Sequence, residues 1–240
     1  DYKPHIGTDI LKTVVANIRK RIIKLGGEIH FSSKLTDISL KNDSVSGITI
    51  NGDEHINCQA LLLALGHSAR DTIEMLMEKG VMLSPKAFAV GFRIEHNQMM
   101  IDLSQYGKFA AHPKLRAADY RLAYQSKKYN RSCYTFCMCP GGVVVAAASE
   151  EKRLVTNGMS EYARDGENAN SALVCGVGPG DFKGAGPLAG MEFQRRLEER
   201  AYRLGKGMYM APVQRVDDFI NNRVTSKLGG VKPTYTRGYS

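Results

Sequence analysis

Long apolar runs are missing from this chain: no uninterrupted one is longer than that at residues 60–65, the length of a core strand, against roughly 18 residues for a bilayer span. That excludes a membrane-spanning helix. No secretory leader is visible, since the sequence opens Asp1-Tyr2-Lys3-Pro4-His5 with neither an initiator Met nor a basic segment followed by an apolar one, and none is expected. Such a start is expected of the middle of something longer. Cysteine is scarce and unpatterned. The five residues Cys58, Cys133, Cys137, Cys139 and Cys175 are odd in number and show no disulfide-framework spacing, so reduced, metal-free thiols in a cytoplasmic protein are expected. Neither an internal repeat nor a low-complexity tract is present.

What remains is a globular composition: 240 residues, 43% hydrophobic, enough to bury the core of one large domain or two small ones. The formal charge of +9 admits a polyanionic partner. Its distribution argues against one. Lys and Arg are spread along the chain, with modest clusters only at Arg19-Lys20-Arg21, Lys127-Lys128 and Arg195-Arg196, a pattern that fits solvated helix faces better than a nucleic-acid surface.

Leu11, Val14, Val15, Ile18, Ile22 and Leu25 recur at helical spacing, which predicts a helix over residues 8–25, capped by Thr8 or Asp9 and stopped by Gly26-Gly27. Strands are expected near residues 28–31, 35–40 and 45–50, and Asn51-Gly52 predicts a tight hairpin turn into residues 54–58. Residues 60–65 then read as a strand buried on both faces, of the kind found in parallel sheets, with Gly66 at its carboxyl end, where α/β sheets bind ligands. A helix over residues 69–79 follows. Beyond Pro85 the texture changes to short apolar strands near residues 88–94, 120–124, 134–138, 143–148 and 172–177, an antiparallel-rich unit closed by a helix over residues 188–204.

The reactive side chains concentrate at Cys133, Cys137 and Cys139. On a strand, residues two apart share a face, which would present Cys137 and Cys139 to one ligand or oxidant; inert thiols and a redox or substrate-contacting role both stay open. No second cysteine pair at metal-ligand spacing exists. His5, His67 and His96 are candidates for proton transfer, and His67, following the strand-end glycine, is the best placed. Arg93 and Glu95 fall on one strand face, as an ion pair or as contacts, with His96, for an anionic substrate. Arg164 opens a polar run to residue 171 that reads as a surface loop or an anion contact. The Gly184-Ala-Gly186-Pro-Leu-Ala189 match to a dinucleotide fingerprint lacks the preceding strand, and is read as a loop and helix cap.

Four segments carry a resemblance: Pro4-His5-Ile6-Gly7-Thr8-Asp9, Leu65-Gly66-His67-Ser68-Ala69-Arg70-Asp71-Thr72, Phe136-Cys137-Met138-Cys139-Pro140-Gly141-Gly142 and Arg164-Asp165-Gly166-Glu167-Asn168-Ala169-Asn170-Ser171. In this order they resemble uncharacterised bacterial FAD-dependent, or NAD(FAD)-utilising, dehydrogenases with two dinucleotide-binding domains. The resemblance implies an α/β fold. Residues 1–85 would form part of an FAD-binding domain (helix, antiparallel meander, buried parallel strand) without its N-terminal Gly-x-Gly-x-x-Gly segment. Residues 86–230 would form an inserted antiparallel-rich α+β substrate domain, and residues 231–240 a return segment. It further implies FAD in the intact parent rather than in this chain, with Leu35, Thr36, Ala64, Leu65, Gly66 and His67 lining it. His67, Cys137 and Cys139 would be catalytic, Arg93, Glu95, His96 and Arg164 would contact a small-molecule substrate, and NAD(P) would be an electron donor. The alternatives are a flavin-dependent tRNA-modifying enzyme and a noncatalytic binding or assembly module.

Overall fold

The helix expected at the start forms as α1 (Thr8–Lys24), and the computed structural model, which describes residues 4–240, ends it where Gly26 takes φ 86°. Its N-cap is Gly7 rather than Thr8 or Asp9. Both of those side chains are committed elsewhere: Thr8 Oγ1 donates to the Ser160 carbonyl at 3.3 Å, and Asp9 Oδ1 accepts from the Tyr162 N–H at 2.9 Å. None of the helix's residues is buried, and Leu11, Val15, Ile18 and Ile22 lie exposed along one stripe.

The meander follows as β1 (Leu35–Lys41), β2 (Ser44–Ile50) and β3 (Glu54–Asn57), an antiparallel sheet in that order. Asn51 at φ 54° and Gly52 at φ 91° make the expected hairpin turn. Residues 28–31 form no strand, since β1 has β2 on one side and nothing in the ladder on the other. The larger correction concerns residues 60–65, which are irregular, with Leu62 91% exposed and Leu63 and Leu65 exposed too. A strand that is apolar on both faces needs ladder neighbours. The meander ends at β3 and supplies none, so the expected buried parallel strand does not form here. Helix α2 (Arg70–Glu78) then buries Arg70, Thr72 and Leu76, and stops before Gly80 at φ 79°.

The second unit is antiparallel, as expected. Strands β4 (Phe88–Asn97), β5 (Ala123–Ser126), β6 (Arg131–Cys139) and β9 (Asn168–Val177) form a sheet ordered β4-β9-β6-β5, while β7 (Val143–Ala146) and β8 (Thr156–Met159) pair beside it. Sequence reading placed the β5 strand three residues early and missed β8. It also missed α3 (Gln98–Tyr106), whose N-cap Asn97 accepts from the Met99 N–H. Helix α4 (Ala189–Leu204) brings Phe193 against Phe88 and Phe182, with ring centroids 5.2 to 6.3 Å apart, and a core of Val144, Leu154, Ala211 and Tyr235 sits near its other end. The short α5 (Val216–Ile220) and the chain end follow. Thr234 donates its N–H and hydroxyl to the Glu95 carboxylate, which fastens that last segment to β4.

The thiol expectation is corrected as well. Register places Cys133 of β6 directly opposite Cys175 of β9, and a disulfide joins them across 42 residues. No local spacing encodes that pair, because only the strand pairing brings it together. Among the described residues, no helix is long and apolar enough to cross a membrane.

Candidate functional site

Strand β6 pairs Phe136 with Ala172 and then Cys139 with Asn170, so it carries one extra residue, a β-bulge, between those two rungs. Cys137 takes φ 48° there, a conformation that non-glycine residues seldom adopt. The bulge breaks the alternation that would have put Cys137 and Cys139 on one face: Cys137 is exposed and Cys139 buried. Burial first, and the adjoining Cys137 second, push the Cys139 thiol up to about 11. Its Sγ donates to the Cys137 carbonyl at 3.4 Å.

Arg93 of β4 holds that same carbonyl from across β9, which lies between β4 and β6. Its Nη1 and Nη2 donate to Cys137 O at 3.3 and 3.4 Å, Nη1 to Asn170 Oδ1 at 2.5 Å and Nη2 to Asn157 Oδ1 at 3.2 Å. The Arg93–Glu95 ion pair considered from alternation is therefore replaced by separate partners, since Glu95 accepts from Asn168 and Thr234. Asn170 is fully buried, and its Nδ2 has no hydrogen-bond partner among the described residues. The run from Arg164 begins as a loop, but Asn168 to Ser171 are buried in β9; its second half is core strand, not surface.

Next to the bulge lies a turn that admits no side chains. Gly141 at φ 51° donates its N–H to Gln98 Oε1 at 2.8 Å and accepts from the Gly166 N–H at 3.3 Å, while Ser160 Oγ donates to the Pro140 carbonyl at 2.8 Å. A Cβ at Gly141 would overlap the backbone of Arg164, and one at Gly142 the Met159 carbonyl. Gly7 packs against Tyr162 just as closely. His5 reinforces that contact, with Nε2 2.9 Å from the Glu161 carbonyl and its ring stacked on Tyr162 at 6.5 Å. Three of the four resemblance segments thus meet in one seam.

The fourth segment is fastened elsewhere. The Arg70 guanidinium, 3% exposed, binds Glu198 and Glu150, and Arg195 binds Glu150, Glu74 and Glu192. Glu198 first, then Glu150, raise the Arg70 pKa; Arg195 first, then Arg70, hold the Glu150 carboxyl down to about 2 against its burial. Ahead of this anchor, Ala64, Leu65, Gly66 and His67 are exposed, with Gly66 at φ 65°. Leu35 pairs with Ile50, and Thr36 Oγ1 donates to the Thr49 carbonyl and accepts from the Gly52 N–H.

His96 is half-buried, its Nε2 2.7 Å from the Tyr120 hydroxyl, and burial lowers its pKa while raising that of Tyr120. Sequence reading missed Gln98, Tyr120, Asn157 and Ser160, whose partners lie 20 to 64 residues away. Only the density of glycine near them signalled a closely packed locality. No group of three or more His, Cys, Asp or Glu among the described residues is arranged to hold a metal ion.

The chain is 60% identical over 237 residues to an uncharacterized protein of Clostridium beijerinckii, a match covering 99% of this chain and 44% of that relative. The chain therefore spans less than half the length of the relative. Residues 87–240, which carry the four-stranded sheet, the bulge and α4, match the family described as FAD-dependent protein, C-terminal domain-like, and the chain belongs to that family.

Proposed function

We propose that this chain is part of an FAD-dependent oxidoreductase, in which the glycine seam around Cys137 faces a small-molecule substrate and the Gly66 turn contacts the flavin. The observation that carries this is the convergence of His5 to Asp9, Cys137 to Gly142 and Ser160 to Gly166 in a protein of an FAD-dependent family. Segments so distant in sequence, packed without room for side chains, suit a surface that must hold one shape.

The Gly66 turn fits a bulky cofactor in one testable respect: apart from its two chain neighbours, none of the described residues comes within 4 Å of where a Cβ would stand, and φ 65° suits a glycine that a ligand approaches closely. Ala64, Leu65, Gly66 and His67 would hold the cofactor there. Leu35 would add apolar surface, whereas the Thr36 hydroxyl is already committed to Thr49 and Gly52. Bound flavin would supply hydride or electron transfer, with NAD(P) as the electron donor. The protein's own part is to orient and to move protons: His67 presents an exposed imidazole nitrogen beside the turn, and Arg93 fixes the Cys137 backbone.

Gly66→Val in the intact polypeptide is expected to lose flavin with little change in thermal midpoint, and His67→Ala to change reduction kinetics while retaining flavin. Full flavin occupancy with wild-type kinetics in Gly66→Val would remove the turn from the site. Salt-sensitive tRNA binding by the wild type would favour the RNA-modifying alternative instead.

A further inference from the structure

We propose that Cys137 and Cys139 form a thiol–disulfide exchange centre for small disulfide substrates, with Cys137 as the attacking sulfur and Cys139 as the resolving one. The proposal rests on reading the seam as the reactive side of the flavoprotein. Three observations support it. Cys137 is an exposed cysteine, whereas Cys133 and Cys175 are bonded to each other and unavailable. Its φ of 48° is held by the Arg93 guanidinium on its carbonyl, an arrangement that costs backbone energy and is characteristic of sites where a side chain must be aimed. Cys139 follows two residues on, its Sγ 3.4 Å from the Cys137 carbonyl and in side-chain contact with the Cys137 thiol.

The chemistry balances without a metal. The Cys137 thiol loses its proton to solvent, and the thiolate attacks one sulfur of R–S–S–R; that bond breaks, and the leaving thiolate takes up a proton as RSH. Cys139 then loses its proton and attacks Cys137 Sγ, which forms the Cys137–Cys139 bond and expels a second RSH. The two protein thiols give up two electrons, and the substrate disulfide gains them. A two-electron reductant of the reduced-flavin class returns the pair to dithiol.

The buried position of Cys139 gives the two steps different pH dependences. With its thiol held up to about 11, only a small fraction is thiolate at neutral pH, so ring closure should quicken roughly tenfold per pH unit from neutrality upward. The mixed disulfide on Cys137 should accumulate at neutral pH and close at alkaline pH.

The test treats the intact protein with hydroxyethyl disulfide at several pH values, followed by acid quench and peptide mass mapping of every cysteine. In the wild type the adduct should appear on Cys137 and give way to a Cys137–Cys139 bond. In Cys139→Ser it should persist, and in Cys137→Ser Cys139 should stay unmodified; thermal melts establish that both variants fold. An adduct forming on Cys58 before Cys137, or persisting as long in wild type as in Cys139→Ser, would overturn the proposal. The wild-type pH dependence decides the matter even if a variant misfolds, since an adduct that never closes at alkaline pH counts against Cys139. None of these readouts needs flavin, so thiol exchange that survives in Gly66→Val while flavin is retained there refutes the assignment of the turn and leaves the thiol centre standing.

Discussion

Arg70 forks onto both carboxylate oxygens of Glu198, Nη1 to Oε2 at 3.0 Å and Nη2 to Oε1 at 2.6 Å, across 128 residues of sequence. This bidentate pair ties α2, directly after the Gly66 turn, to α4 of the family-matched unit. Two like-signed neighbours would be costly so close together, but Glu150 and Glu198 share Arg70, and Arg195 adds a second positive charge.

Arg70→Ala should therefore destabilise the protein by about 3–5 kcal/mol, because it removes the guanidinium that Glu198 and Glu150 share in a partly buried place. Arg70→Met, which preserves much of the volume, should cost nearly as much, since the carboxylates remain. Denaturant midpoints check both. A loss below about 1 kcal/mol would mean that solvent reaches the carboxylates and screens them.

The same network predicts an acid limit. Glu150 titrates at about 2 when folded, below the usual glutamate value, so its contribution is fully present above about pH 4.5 and is lost as pH falls from there towards 2. The amount is on the order of 3 kcal/mol. Unfolding curves from pH 6 down to pH 2 should show it, and Glu150→Gln should flatten the slope in that window.

Gly7→Ala and Gly26→Ala separate two reasons for a glycine. Both positions have φ above 80°, but a Cβ at Gly26 meets nothing within 4 Å, whereas one at Gly7 overlaps the Tyr162 backbone. Gly26→Ala should cost about 1 kcal/mol for the torsion alone. Gly7→Ala should cost more, about 2–3 kcal/mol, and release the His5–Tyr162 contact, read as faster hydrogen exchange at Thr8 and Tyr162.

Reducing the Cys133–Cys175 bond should lower stability by about 2–4 kcal/mol, through the freedom regained by a loop of 42 residues in the unfolded chain. Chemical unfolding with and without dithiothreitol measures this. The Cys133→Ala/Cys175→Ala double variant should be insensitive to reductant, and a wild type equally insensitive would show that the bond adds nothing.

Local pattern alone determined much of this protein. The stripe of Leu11, Val14, Ile18 and Ile22 marked α1, Asn51-Gly52 marked the first hairpin, and the glycine breaks marked where α1 and α2 stop. These features depend on backbone conformations and side-chain periods that a few neighbouring residues set by themselves. Tertiary structure decided the rest. Residues 60–65 read as strand from their apolar content, yet a strand exists only when another backbone completes its ladder, and the described residues provide none. The Cys133–Cys175 bond, the Arg93 hold on Cys137 and the Arg70–Glu198 fork each join residues 42 to 128 apart. The first two are chosen by strand register and by one extra residue in β6, where an offset of a single residue reverses which side chains face the core, and the third by the packing of α2 against α4.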